Sequence, residues 1–275
     1  MSDASSATKA GNGAKDFVLY RAEDGIAWIT LNRPERLNAF AGAMRDHLRQ
    51  AVERASAAAD VRVVVITGAG RGFCTGADVE VMSDLVSRGD AETFGGYVQA
   101  GIRAVQALRA CRKPVVAAVN GVAAGAGASL AVACDVRLAS DKASIGFTFN
   151  RIGVHPDWGA SYYLPRLVGT GRASELVMSA RMVDAAEAER IGLFQRVFPA
   201  AEFEGAVQAF ARELADKPPL ALSAAKHSLA ISPESDLGRM MEVEREAQMR
   251  LFRSADVREG ITAFNEKRKA VFRGE

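Results

Sequence analysis

The chain has 275 residues, 49% of them hydrophobic and 25% charged, which is enough for a full core and ordinary for a soluble globular protein. Its 35 basic residues interleave with 33 acidic ones for a formal charge of +2, with no long basic block, so a nucleic-acid surface is disfavoured while anionic small molecules stay open. Three unevenly spaced cysteines, Cys74, Cys111 and Cys134, form no CxxC pair; they imply no metal and suit a reducing compartment. Residues 1–14 are small and polar, without the apolar stretch a signal peptide needs, and read as a disordered tail. No run of about eighteen apolar residues follows, so the expectation is a cytoplasmic protein with no membrane partner.

Short β-rich runs at 17–21 and 26–31 flank Asp24-Gly25, a hairpin signal. Met44, Leu48, Ala51, Val52 and Ala55 recur at helical spacing, which predicts an amphipathic helix over 41–59. The β-branched run at 62–67 reads as a buried strand and leads into a glycine-rich turn over 68–78. A helix over 91–110 follows. Val115–Val119 is a second β-branched run, ending at Asn120-Gly121, and the small-residue turn Ala124-Gly125-Ala126-Gly127 opens into an apolar helix over 128–133. Strands are expected at 135–139 and 143–147, a short helix after Trp158 ended by Pro165, helices over 171–180 and 184–191, and a last strand at 194–198. The second of those helices starts on Asp184 with Glu187 three residues on, a capping pattern. Beyond Pro199 the pattern is helical only, over 200–215, 220–230, 237–252 and 256–269. Helices with no sheet of their own must bury their apolar faces on the core or on another subunit, which predicts an oligomer.

Repeated strand and helix units predict an α/β core. Two of its turns follow buried strands and point unpaired amides forward, and at the second the positive end of a helix macrodipole adds to them. Neither carries GxGxxG or a Lys-Ser/Thr pair after the glycines, so a developing oxyanion suits them better than a phosphate. Small residues in such turns also suit close helix–strand packing. Asp157 precedes an apolar helix, where an aspartate commonly serves as N-cap.

The segments Asn32-Arg33-Pro34 with Leu37-Asn38-Ala39, GRGFCTGAD (70–78), KPVVAAVNGVAAGAGASLAVACD (113–135), IGVHPDWGASYYLPRLVG (152–169) and Phe264-Asn265-Glu266-Lys267-Arg268 occur in one order. Together they resemble the crotonase, or enoyl-CoA hydratase/isomerase, family, from about residue 16 to the C-terminus. The resemblance implies a crotonase-like spiral of ββα units over 15–199 and a C-terminal helical trimerisation region over 200–275, in a homotrimer or a hexamer built as a dimer of trimers. It implies an acyl-CoA thioester as substrate, with coenzyme A entering as part of that substrate and no separate cofactor or metal. The thioester oxygen would accept hydrogen bonds from the N–H groups of Ala77 and Ala126. Arg36, Leu37, Ala77, Asp78, Ala126 and Lys267 fall at the family's coenzyme A contacts, Lys267 as a point charge on phosphate, often supplied across a subunit boundary.

The departures bear on the chemistry. The family's hydratase pattern has glutamates where this chain has Ser129 and Phe149, so the two carboxylates that hydration uses are absent. Asp157 remains, at the position that looks like the acid of enoyl-CoA isomerases, including ring-modified aryl-acetyl-CoA relatives. The expected activity is therefore double-bond isomerisation with Asp157, Ala77 and Ala126 as the catalytic set. If Phe147, Phe149 and Trp158 line the pocket, they raise the Asp157 pKa and make it a better base; otherwise they are core. The alternatives are atypical hydration through Asp157 and a water, a non-catalytic acyl-CoA-binding trimer, and a dehalogenase-like attack for which the partner histidine near residue 102 is missing. Ser129 is expected to serve its own helix, and Cys74 to pack.

Overall fold

The turn at Asp24-Gly25 sets the first register: both residues have positive φ, 53° and 80°, as a two-residue hairpin needs. Around it β1 (Val18–Glu23) and β2 (Ile26–Leu31) pair antiparallel in the computed structural model, which describes residues 16–275. The tail expected over 1–14 lies outside the described residues. α1 (Met44–Ala57) buries Met44, Leu48, Ala51, Val52 and Ala55 as the spacing predicts.

From there strands come in consecutive pairs that split between two sheets. β3 (Val63–Gly68), β5 (Val115–Val119) and β7 (Val136–Ser140) join the larger sheet, whose order is β1-β2-β3-β5-β7-β10 with β10 at Arg196–Phe198. Their partners β4 (Gly72–Cys74), β6 (Val122–Ala124) and β8 (Ser144–Gly146) build the smaller sheet, closed by β9 (Val183–Asp184). Beyond β2 the larger sheet is wholly parallel. Helices return the chain after each pair: α2 (Val79–Arg88) and α3 (Ala91–Ala110), α4 (Ala126–Ala133), then α5 (Ala160–Val168) and α6 (Thr170–Ser179). The result is the spiral of ββα units. α7 (Ala185–Arg190) starts on Asp184, whose carboxylate accepts from the Glu187 amide at 2.8 Å.

Four more helices follow: α8 (Phe203–Ala215), α9 (Pro219–Ile231), α10 (Leu237–Leu251) and α11 (Ala255–Glu266). α8 lies on the larger sheet, its Phe203, Val207 and Ala211 packing on Ile26, Val63, Val65, Val116, Ala118 and Leu138. The alternate residues Val64, Ile66, Val115 and Ala117 face the main core. Both faces of these strands are therefore covered, which is why their sequences are unbroken apolar runs rather than alternating ones. Each large side chain so buried contributes about 1.5–3 kcal/mol. α9 to α11 leave Leu229, Leu237, Met241, Phe252 and Phe264 exposed. No helix among the described residues is long and apolar enough to cross a membrane.

Two expectations need correction. Pro165 does not end the helix after Trp158; α5 runs through it for one more turn to Val168, giving up the amide bond that a proline inside a helix cannot donate. The helix α2 had no counterpart in the sequence pattern. It buries only Leu85 and exposes Val79 and Val86, so it carries no core-facing stripe to detect, and it is started by the side chain of Asp78.

Candidate active site

Parallel pairing of β4 with β6 sets the two glycine-rich turns side by side, with a register irregularity between Gly72 and Cys74. The contact is closer than side chains permit. A Cβ added at Gly127 would stand 2.0 Å from the Cys74 carbonyl oxygen, and one at Gly76 would stand 2.9 Å from Ala124 O and 3.1 Å from Ala126 N. Gly76 also has φ 87°, so glycine is required there twice over.

Phe40 bridges to Ala77: its N–H donates to Gly76 O at 2.7 Å, and the Asp78 N–H donates back to Phe40 O at 3.2 Å. The Ala77 amide, between them, faces the other way. Ala126 is the first residue of α4, where an amide has no intrahelical partner. Among the described residues no backbone bond uses either N–H. Two free donors thus stand in two turns held together by glycine contacts; a pair of backbone donors is what an oxyanion hole is built from.

The loop before α1 is locked to the first turn. Asn38, fully buried with φ 59°, donates to Ala69 O at 2.9 Å and Gly72 O at 2.7 Å and accepts from the Arg33 amide at 2.8 Å. Arg33 in turn donates to Ala39 O and pairs with Asp78 at 2.9 Å. Burial alone would push the Asp78 carboxyl up, but Arg33 and the Glu80 amide outweigh it and hold it below the usual range. That carboxylate is thus spent on Arg33 and on capping α2. Arg36 is exposed and grips Glu80 with both terminal nitrogens at 2.7 and 2.9 Å, while Leu37, at φ 48°, packs on Gly72. Arg36, Leu37, Ala77, Asp78 and Ala126 therefore share one neighbourhood. Lys267 does not: it is the exposed C-cap of α11, and no hydrogen bond or ion pair among the described residues ties it to either turn.

Asp157 is half-buried, and its Oδ1 has no hydrogen-bond partner among the described residues. It is not a cap, since α5 is preceded by Gly159 with no side-chain capping bond. Burial pushes its carboxyl from the ordinary 3.8 up to about 6, against the opposing pull of Arg45, of its own backbone amide and of His155. The next residue, Trp158, is held at φ 51°, a conformation that costs a bulky side chain of order 1–3 kcal/mol. Its indole is 2% exposed, with centroid 4.6 Å from that of Phe40, and its Nε1 would lie 1.9 Å from any Cβ at Gly101 of α3. Phe40 connects the two halves, touching Trp158 with its ring and Gly76 and Asp78 with its backbone.

Phe147 and Phe149 belong to the main core cluster, as does Trp158. Ser129 is buried, its hydroxyl donating to Gly125 O at 3.2 Å, so it serves its own helix. Burial pushes the Cys74 thiol up to about 12, leaving it neutral. Arg45 is the functional candidate missed in the sequence. It is 6% exposed, its Nη1 has no hydrogen-bond partner among the described residues, and the signal for it was a charge at position 45 on the apolar side of α1, beside Met44 and Leu48. No cluster of three or more His, Cys, Asp or Glu able to hold a metal occurs among the described residues.

Comparison with known proteins agrees with this geometry. The family model described as enoyl-CoA hydratase/isomerase matches residues 21–275. A protein of Rhodobacter capsulatus named "Probable enoyl-CoA hydratase" is 40% identical, covering 94% of this chain and 98% of its own. The 1,2-epoxyphenylacetyl-CoA isomerase of Escherichia coli is 36% identical, covering 94% and 99%. Among solved structures, an enoyl-CoA hydratase from Bacillus anthracis superposes with TM-score 0.90 at 32% identity, covering 94% of this chain and all of that one. With the spiral fold, the paired amide turns and full-length matches to both kinds of enzyme, this chain belongs to the enoyl-CoA hydratase/isomerase, or crotonase, family.

Proposed function

We propose that this enzyme isomerises the double bond of an acyl-CoA thioester, with no cofactor besides the coenzyme A of its substrate. The amides of Ala77 and Ala126 donate to the thioester oxygen and stabilise the enolate that forms when a proton leaves the neighbouring carbon. Asp157 takes that proton and returns it further along the chain, a task for one carboxylate. The observation that carries this reading is the unpartnered Oδ1 of Asp157, with its carboxyl lifted to about 6, near enough to neutrality for a base that must also give its proton back. The positions of the hydratase glutamates hold Ser129, spent on Gly125, and Phe149, in the core.

The test is exchange of substrate hydrogen in deuterated water. Asp157→Asn is expected to abolish it while coenzyme A ester affinity stays within about twofold; retained exchange removes Asp157 from the mechanism. Hydration is the second reading, favoured by the relatives named hydratase, among them a crotonyl-CoA hydratase of Syntrophomonas wolfei that is 36% identical. Steady loss of the conjugated thioester absorbance of crotonyl-CoA would favour it. Tight ester binding with no turnover of any enoyl or aryl-acyl ester would point to a binding protein.

The exposed apolar residues of α9 to α11 support a homotrimer or a hexamer, in which Lys267 reaches coenzyme A phosphate from a neighbouring subunit. Sedimentation equilibrium separates the two, and a monomer at micromolar concentration refutes both.

A further inference from the structure

Arg45 presents a cation with no anion in contact among the described residues. Its guanidinium stands 4.7 Å from the ring centre of Tyr97 on α3 and 5.4 Å from that of Phe40, which accounts for the charge but not for its N–H groups. Nη1 is buried and donates to no group among the described residues, and leaving a charged donor unsatisfied is among the costlier arrangements in a folded chain. The groups whose charge it feels are Cys74, Asp157, Tyr97 and Asp46. Cys74 is held neutral by burial, and Asp46 is engaged by Arg49 and Arg103 at 3.7 and 3.5 Å. Asp157 is near enough to be influenced yet forms no ion pair with Arg45. Phe40 touches both Arg45 and Trp158, the residue that follows Asp157, so one ring links the element that carries the unsatisfied donor to the segment that carries the unsatisfied carboxylate oxygen.

Resting on the reading of this site as an acyl-CoA pocket, we propose that Arg45 is a specificity-determining residue whose Nη1 donates to a neutral oxygen on the acyl group, so that the preferred substrates are hydroxylated or otherwise oxygen-bearing acyl-CoA thioesters rather than plain hydrocarbon ones. A neutral acceptor fits better than a second carboxylate. Asp157 already supplies one negative charge within electrostatic reach of Arg45, and another anion beside it would repel it. A hydroxyl, ketone or ring ether oxygen satisfies Nη1 without that conflict. A purely apolar chain would seal the donor in with nothing to bond.

The test compares dissociation constants of hexanoyl-CoA, its four hydroxy derivatives with the hydroxyl at carbons 3 to 6, and adipoyl-CoA. At least one hydroxy ester is expected to bind about tenfold tighter than hexanoyl-CoA, the worth of a hydrogen bond to a charged donor, and adipoyl-CoA no tighter. In Arg45→Met that preference is expected to fall below about twofold, with hexanoyl-CoA binding unchanged, and Arg45→Lys is expected to keep part of it. Equal binding of every hydroxy ester and hexanoyl-CoA by the unaltered protein overturns the proposal, as does a preference that survives in a folded Arg45→Met variant. Deuterium exchange is read in parallel and needs no such preference. Preference without exchange refutes the isomerase reading alone; exchange without preference refutes the role of Arg45 alone.

Discussion

The two halves of the site are built from different materials. On the donor side the proposed working groups are peptide amides, and the sequence there contributes chiefly what it omits: Gly76 and Gly127 lack the Cβ atoms that would force the turns apart. On the acid side the proposed working group is a side chain, Asp157, whose properties come from its burial and from the charges of Arg45 and His155. A backbone device tolerates almost any side chain that points away and no added atom at the contact. A carboxylate device tolerates backbone adjustment and fails on one exchanged group. One enzyme can therefore vary its chemistry on the acid side while the donor side stays as it is.

The largest effect that would sharpen this contrast is chemical. Asp157→Asn should lower turnover by about 10²–10⁴-fold, the usual worth of a positioned acid–base group, with ester binding barely changed. Gly127→Ala should do the reverse in kind. It drives a methyl into the Cys74 carbonyl, so we expect loss of roughly 10²–10³-fold in turnover from a displaced amide, together with about 1–3 kcal/mol of stability, measured by urea unfolding. A Gly127→Ala protein with full activity would break the comparison. Gly101→Ala tests the packing behind the acid: its methyl meets the Trp158 indole, so a loss of about 1–3 kcal/mol and a changed activity–pH profile are expected.

The pH dependence follows with its sign. The Asp157 carboxyl is raised on folding from 3.8 to about 6, so the folded chain holds this proton more tightly than the unfolded one. Its contribution to stability is full below about pH 4 and is lost as pH rises through about 6, while activity needs the ionised base and rises over the same interval. Asp157→Asn should accordingly be more stable than the parent at pH 7 by roughly 2 kcal/mol and should lose that advantage at pH 4, as read from thermal midpoints. The smallest expected change is in Arg45→Met. Removing a cation that pulls the carboxyl down should move the midpoint of the activity–pH curve above 6.

Elements with one dominant period were legible before any coordinates. The hairpin at Asp24-Gly25, the apolar face of α1 and the runs that became β3 and β5 were all readable. So were the two turns, because glycine after a buried strand marks a backbone doing something a side chain would obstruct. What escaped was short or lacked a face: β4 and β6 have three residues each, and α2 buries a single leucine. Arg45 escaped for another reason. A charge inside an apolar stripe looks like a solvated edge until the rings of Phe40 and Tyr97 are seen to enclose it.

The packing of Trp158 carries a practical consequence. The chain has two tryptophans, and the other, Trp28, sits in β2 on the side of the sheet covered by α8. One tryptophan therefore follows directly in sequence the carboxylate on which the chemistry is proposed to turn, while its counterpart lies in a separate cluster. Emission from a Trp28→Phe protein would come from Trp158 alone, giving the enzyme an internal fluorophore. Its intensity should titrate with Asp157 and respond to an arriving acyl group, with no label attached.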